Sequence, residues 1–277
     1  MKIYNTSKGI LIESESIFYL INKNWDELIN DDNLFSNLKS IVETTSPIDN
    51  YQDLIDNYLK VPLESQEIWA SGVTYFNSKM ARQEESKDAG GATFYERVYH
   101  ADRPELFFKA TAHRSVPSGG KVNIRKDSTW DVPEPELTLV ITSNCKIIGY
   151  TIGNDMSSRS IEGENPLYLP QAKTFDGCAG MGPCMLVTEN PLATDTEIRL
   201  KVIRNSEIIF NETTSISKMK RKPQELVEYL FRECTFPNGC LLMTGTGIVP
   251  TTDFTLKSED EIQISIDNIG TLINYVR

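Results

Sequence analysis

The sequence predicts an α+β fold dominated by β-structure, with a small N-terminal α/β unit appended to it. Three observations lead there. Short runs of β-branched and aromatic residues, separated by Gly, Pro, Asn and Asp, recur through the second half of the 277 residues. In that half a clear helical stripe occurs once, after Pro223. The composition, 39% apolar and 24% charged, belongs to a folded chain long enough for one large domain with a sizeable core. Neither a doubly wound sheet nor an α/β barrel is expected from this order.

Residues 1–60 read as the small unit. "GILIES" and "SIFYLIN" are strand-like, and in "DDNLFSNLKSIVETT" Leu34, Leu38, Ile41 and Val42 share one helical face. Residues 61–277 form the main domain, opening with "SQEIWASGVTY". The stretch 77–101 predicts helix interrupted by "DAGGA" at 88–92, a connection able to form part of a lid. Thr138–Thr142 and Lys146–Gly153 flank Ser143, Asn144 and Cys145 as a hairpin. Ile198–Arg204 and Ile208–Phe210 flank Asn205 and Ser206 in the same way. Pro223 suits a first helical position, and Leu226, Val227, Leu230 and Phe231 follow as an apolar stripe. Ile262, Ile264 and Ile266 alternate before Asn268, and a last strand is predicted near Leu272–Val276.

The formal charge of -11 opposes binding to nucleic acid or to an anionic membrane surface. A small anionic substrate would need local cations or a metal. The opening residues carry only a four-residue apolar run, too short for a secretory signal, so a cytoplasmic location is expected. The five cysteines are odd in number and lack a C-x-x-C pair, which predicts buried reduced thiols.

Chemistry concentrates in "WDVPEPELTLVIT", residues 130–142. Along a strand alternate side chains share a face, so Glu134 and Glu136 converge on one point. Two carboxylates that close need a cation between them, or one must hold a proton. The hairpin brings Asp155 back beside them, which gives three hard oxygen ligands. Such a set selects Mg2+, Mn2+ or Ca2+ over zinc. The competing reading is a group of ordinary solvent-facing acids. In the Gly- and Pro-rich stretch 157–183, read as a long functional loop, Lys173 is a candidate carboxylate binder or acid-base group, and Arg159 is expected to pair with Glu162. In "LLMTGTGIVP" the backbone N–H groups and the Thr246 hydroxyl could hold an anion.

These pieces, in this order, resemble the fumarylacetoacetate hydrolase family. The resemblance covers about residues 66–277 and rests on "SGVTYFNSK", "RPELFFKA", "VPEPELTLVI", "IIGYTIGNDMSSRSIE", "LPQAKTFDGCAGMGP" and "LLMTGTGIV". It implies a mixed β-roll core, a magnesium-type ion on Glu134, Glu136 and Asp155, a substrate-binding Lys173, and a turn at Thr246 lining the pocket. It also implies a homo-oligomer, a dimer or tetramer. One departure matters for the chemistry. Members that hydrolyse or decarboxylate carry a histidine shortly after a G-x-N-Y motif, whereas here Thr74 replaces the asparagine and Ser78 stands where the histidine would fall. The only histidines, His100 and His113, lie elsewhere.

Within the family the chain is most similar to sugar-acid dehydratases acting on 2-keto-3-deoxypentonates. That implies a small 2-keto acid substrate, proton transfer by Glu105 and Lys173, and substrate contacts from Tyr75, Arg82 and Lys109. A hydrolase or decarboxylase of an acylpyruvate or oxaloacetate-like acid is the alternative. A non-enzymatic scaffold that binds a cation for stability is a third reading.

Overall fold

The computed structural model describes residues 1–85 and 92–277. The "DAGGA" connection read as part of a lid therefore lies largely outside the described residues. Its flanks are helical, Phe76–Glu85 and Ala92–His100, as the sequence predicts.

Among the described residues one large mixed sheet runs in the order Ile17–Ile21, Gly9–Ser14, Lys2–Thr6, Ala179–Leu186, Ile147–Asp155, Pro135–Ile141, Cys240–Met243, Glu67–Gly72 and Glu105–Ala110. A second sheet runs Glu207–Ser215, Glu197–Arg204, Glu261–Ile266, Gly270–Val276 and Lys121–Val122. The strands are mostly antiparallel, and the molecule is β-rich and α+β, as expected.

The run Leu137–Ile141 does not alternate with polar residues because the large sheet is covered on both faces. Leu137, Leu139 and Ile141 face the second sheet, where they join Ile198, Leu200, Ile264 and Leu272. Val140 faces the other way and joins Trp25, Leu34, Leu38 and Met185. The second sheet has polar side chains on its outer face, so Ile262, Ile264 and Ile266 alternate with partly exposed neighbours. Helix Pro223–Leu230 buries Leu226, Val227 and Leu230 against the first core, while Phe231 caps the helix end. Each Leu or Ile fully buried in this way contributes roughly 1.5–3 kcal/mol.

The N-terminal unit is less separate than its sequence suggests. Its strands and helix form where expected, but Lys2–Thr6 pairs antiparallel with Ala179–Leu186, so the unit extends the main sheet. Helices Trp25–Ile29 and Leu34–Thr44 pack on the Val140 side of that sheet, while Leu54 of helix Tyr51–Tyr58 joins the core on the opposite side.

Both predicted hairpins form. Asn205 and Ser206 take left-handed φ of 51° and 67°, which matches a two-residue turn to the strand twist. The other hairpin positions the site. Pro135–Ile141 and Ile147–Asp155 pair with Gly153 opposite Glu136 and Asn154 opposite Pro135. The Asp155 N–H then donates to the Glu134 carbonyl at 3.0 Å. A correction concerns residues 157–183. Gly and Pro density suggested a long loop, but the chain forms helix Arg159–Glu164, a 3-10 turn at Pro166–Tyr168, helix Leu169–Lys173 and then the strand from Ala179. Side chains of Ser158 and Asn165 cap the first two, which lets such short turns persist.

Candidate active site

The hairpin brings Glu134, Glu136 and Asp155 together, with one carboxylate oxygen of each within 4.8 Å of the others. All three are buried, so they are not the solvent-facing acids of the competing reading. Glu134 and Asp155 border a narrow cleft with about 10 Å³ of free space, to which Lys173, Arg82, Arg159, Phe107, Ser78 and Thr246 also contribute.

Basic groups meet two of the acids. Lys173 Nζ donates to Glu134 Oε2 at 2.8 Å, to Asp155 Oδ2 at 3.0 Å and to Ser157 Oγ at 2.6 Å. Arg159 Nη2 lies 2.9 Å from Glu134 Oε1, and Lys109 Nζ lies 2.6 Å from Asp155 Oδ1. Burial alone would raise the Glu134 carboxyl, but Lys173 and Arg159 prevail and hold it well below the usual carboxylate range. Lys173 behaves correspondingly. Burial pulls its ammonium down, while Asp155 and Glu134 more than compensate and raise it.

Glu136 differs. Burial, followed by repulsion from Asp155 and Glu134, pushes its carboxyl well up, against a hydrogen bond of 2.6 Å from the Gly245 N–H. Here the Gly245 N–H of the glycine-rich turn is already taken by the chain's own Glu136 carboxyl. Thr246 does not point its hydroxyl at a ligand by default, since it donates to the Ile248 carbonyl at 3.0 Å within the turn.

Glu105 opens strand Glu105–Ala110, opposite Gly72. The residue is partly exposed, yet its Oε2 is buried without a hydrogen-bond partner, and burial raises its carboxyl. It reaches this position because Gly72 has no side chain: a Cβ there would lie 2.2 Å from Glu105 Oε2. Tyr75 is buried as well, and its hydroxyl has no partner among the described residues. Burial and the charge of Glu136 push that hydroxyl up.

Two of the expected residues take buried places beside the acids. Lys109 is not among the residues bordering the cleft; it is fully buried and bonded to Asp155, the Met156 carbonyl and the Lys173 carbonyl, so it neutralises and braces Asp155. Arg159 was expected to pair with Glu162, and does so at 3.8 Å, but its closer partner is Glu134. The sequence reading also missed Ser157, which accepts the Lys173 ammonium, and the Arg82–Glu162 ion pair. Serine beside a buried lysine gives no sequence signal. Ser78 bonds to the Tyr75 backbone, while His100 and His113 are exposed and away from the cleft.

The arrangement suits a divalent cation. Among the described residues, ion pairs engage Glu134, Asp155 and Glu162 with Lys109, Lys173, Arg82 and Arg159, and none engages Glu136. A divalent ion on the three oxygen donors would offset the burial and repulsion that push the Glu136 carboxyl up, and would keep it ionised.

Fold and site together define a protein with a buried three-carboxylate cluster, able to hold a cation, at the open end of a β-hairpin. Residues 67–277 match the fumarylacetoacetate (FAA) hydrolase C-terminal family, and the chain belongs to that family. It is 47% identical over 236 residues to a Haloferax volcanii protein named probable 2-keto-3-deoxyxylonate dehydratase, covering 84% of this chain and 80% of that protein. It is 44% identical over 241 residues to 2-dehydro-3-deoxy-D-arabinonate dehydratase of Saccharolobus solfataricus, covering 82% and 79%. A solved structure of 2-keto-3-deoxy-D-arabinonate dehydratase complexed with magnesium and 2,5-dioxopentanoate superposes with a TM-score of 0.83 at 35% identity, over 100% of this chain and 99% of that one.

Proposed function

We propose that the protein is a metal-dependent hydro-lyase that converts 2-keto-3-deoxy-D-arabinonate to 2,5-dioxopentanoate in pentose catabolism. One observation carries the reading: a buried three-carboxylate centre shares its cleft with a lysine, beside a buried glutamic acid, and no histidine lines that cleft among the described residues. The sugar-acid dehydratases among its relatives support it.

Glu134, Glu136 and Asp155 would hold Mg2+, or Mn2+ or Ca2+ in its place. The ion supplies Lewis acidity that draws electrons toward the 2-keto oxygen and makes the C3 protons acidic. Glu105 and Lys173 share the proton transfers: one removes a C3 proton, and the other protonates the C4 hydroxyl as it leaves as water. The C3–C4 double bond so formed accepts a proton at C3 as C5 loses one, and the resulting enol becomes the C5 aldehyde. Arg82 and the Thr246 turn line the space for the substrate, with Tyr75 close by. Lys109 holds Asp155 in place. We further infer a cytoplasmic homo-oligomer, dimer or tetramer, with residues 1–60 and 61–277 as its two folding units.

Incubating the protein and magnesium with 2-keto-3-deoxypentonates, acylpyruvates and oxaloacetate, with product identification by mass, tests this function. Formation of 2,5-dioxopentanoate is expected. Carbon–carbon cleavage of an acylpyruvate without dehydration of any pentonate would contradict it and favour the hydrolase alternative.

A further inference from the structure

Beyond the metal ligands and the proton-transfer pair, the cleft is bounded by a buried chain of charges that those roles leave unexplained. Arg82, on helix Phe76–Glu85, forms an ion pair through Nη1 with Glu162 Oε1, and both side chains are at most 5% exposed. The other oxygen of Glu162 faces Arg159 Nε at 3.8 Å, and Arg159 Nη2 in turn meets Glu134 at 2.9 Å. Glu162 itself does not line the cleft, whereas both arginines do.

A buried carboxylate between two guanidiniums carries a large desolvation cost. Hydrophobic residues could fill the same volume, so the retained charge calls for a role. Geometry supplies one. Helix Phe76–Glu85 and helix Arg159–Glu164 are separate pieces of the wall; the Arg82–Glu162 pair joins them, while Arg159 meets Glu162 within its own helix. A guanidinium is a planar fork, so fixing one of its nitrogens fixes the direction of the rest.

We propose that Glu162 is a positioning residue for the reaction: it holds Arg82 against the cleft in the orientation that grips the substrate carboxylate. The inference rests on the 2-keto acid reading of the cleft. Arg82 then supplies binding that a flexible, unanchored arginine would deliver only after ordering its long side chain. Glu162 touches no reacting atom and acts through Arg82.

The test is a double-mutant cycle with Glu162→Gln, Arg82→Ala and the two combined, read in KM and kcat separately. Glu162→Gln is expected to raise KM roughly tenfold or more while kcat stays within a few fold, the size of one hydrogen bond to a charged group. The combined variant should be no worse than Arg82→Ala alone. An unchanged KM in Glu162→Gln, or losses that multiply in the combined variant, would overturn the proposal. Should Glu162→Gln be too unstable to assay, Glu162→Asp keeps the buried charge but retracts it. A raised KM at unaltered melting temperature is then expected, and a wild-type KM refutes the role.

The same cycle on the dissociation constant for 2-oxoglutarate, with magnesium, separates this idea from the reaction assignment. If wild type dehydrates no pentonate, the proposed function fails. Coupling between Glu162 and Arg82 in 2-oxoglutarate affinity still supports the positioning role, and absence of coupling still removes it.

Discussion

Replacing Gly72 by alanine perturbs the proposed proton-transfer machinery without replacing any ionisable group. An alanine Cβ at this position would lie 2.2 Å from Glu105 Oε2 and 2.6 Å from its carboxyl carbon. Ordinary contact between such atoms begins at about 3.4 Å, so the carboxyl must withdraw by roughly 1 Å. It can do so, because it is the end of a flexible side chain. Gly72 closes strand Glu67–Gly72 without a left-handed φ, so alanine fits the backbone. Misplacing a reacting group by about 1 Å costs on the order of 100-fold in rate, or about 2.7 kcal/mol of barrier. The expected result is therefore a kcat for pentonate dehydration down about 100-fold, with a melting temperature close to wild type. In a Glu105→Gln background the same change should add little. A Gly72→Ala enzyme with kcat within about threefold of wild type would refute the assignment of Glu105 to proton transfer.

Other outcomes follow from the same geometry. Glu105→Gln and Lys173→Met should each lower kcat by about 100- to 10,000-fold, with 2-oxo acid binding retained in the glutamine variant, measured by steady-state kinetics and calorimetry. Equal activity in either would remove that residue from the chemistry. Asp131 lies outside the cleft, and burial pushes its carboxyl up to about 6 from 3.8. Its Oδ1 is buried without a hydrogen-bond partner. The folded state thus binds this proton more tightly than the unfolded state, and stability falls as pH rises from about 3.8 to 6. Asp131→Asn should remove this decline in denaturant titrations across that window, and an unchanged decline would place its cause elsewhere.

The parts of the fold set by local pattern were legible. The hairpin ending at Asp155 follows from period-two spacing and a short turn, and the same spacing places Glu134 and Glu136 on one side. The joining of the N-terminal strands to the main sheet was not legible. Ile3 pairs with Met185, and nothing local in either segment names a partner so distant in the chain. The helices between Arg159 and Lys173 were read as loop because each is one or two turns long and depends on capping and packing rather than propensity. Lys109 and Arg82 were judged by type, as cations near a substrate. What distinguishes them is their buried partners, Asp155 and Glu162, which come from other elements of the fold. That Glu136, among the described residues, has no ion-pair partner likewise emerges only once the pairs at Glu134 and Asp155 are in place.

The most direct measurement is a manganese titration of chelator-stripped protein, following bound ion by electron paramagnetic resonance alongside dehydration of 2-keto-3-deoxypentonate. Wild type should bind a single ion at the carboxylate centre, with activity rising in proportion to occupancy, and Glu136→Gln should lose both together. Full turnover in the stripped protein, or undiminished binding in Glu136→Gln, would contradict a metal held by Glu134, Glu136 and Asp155.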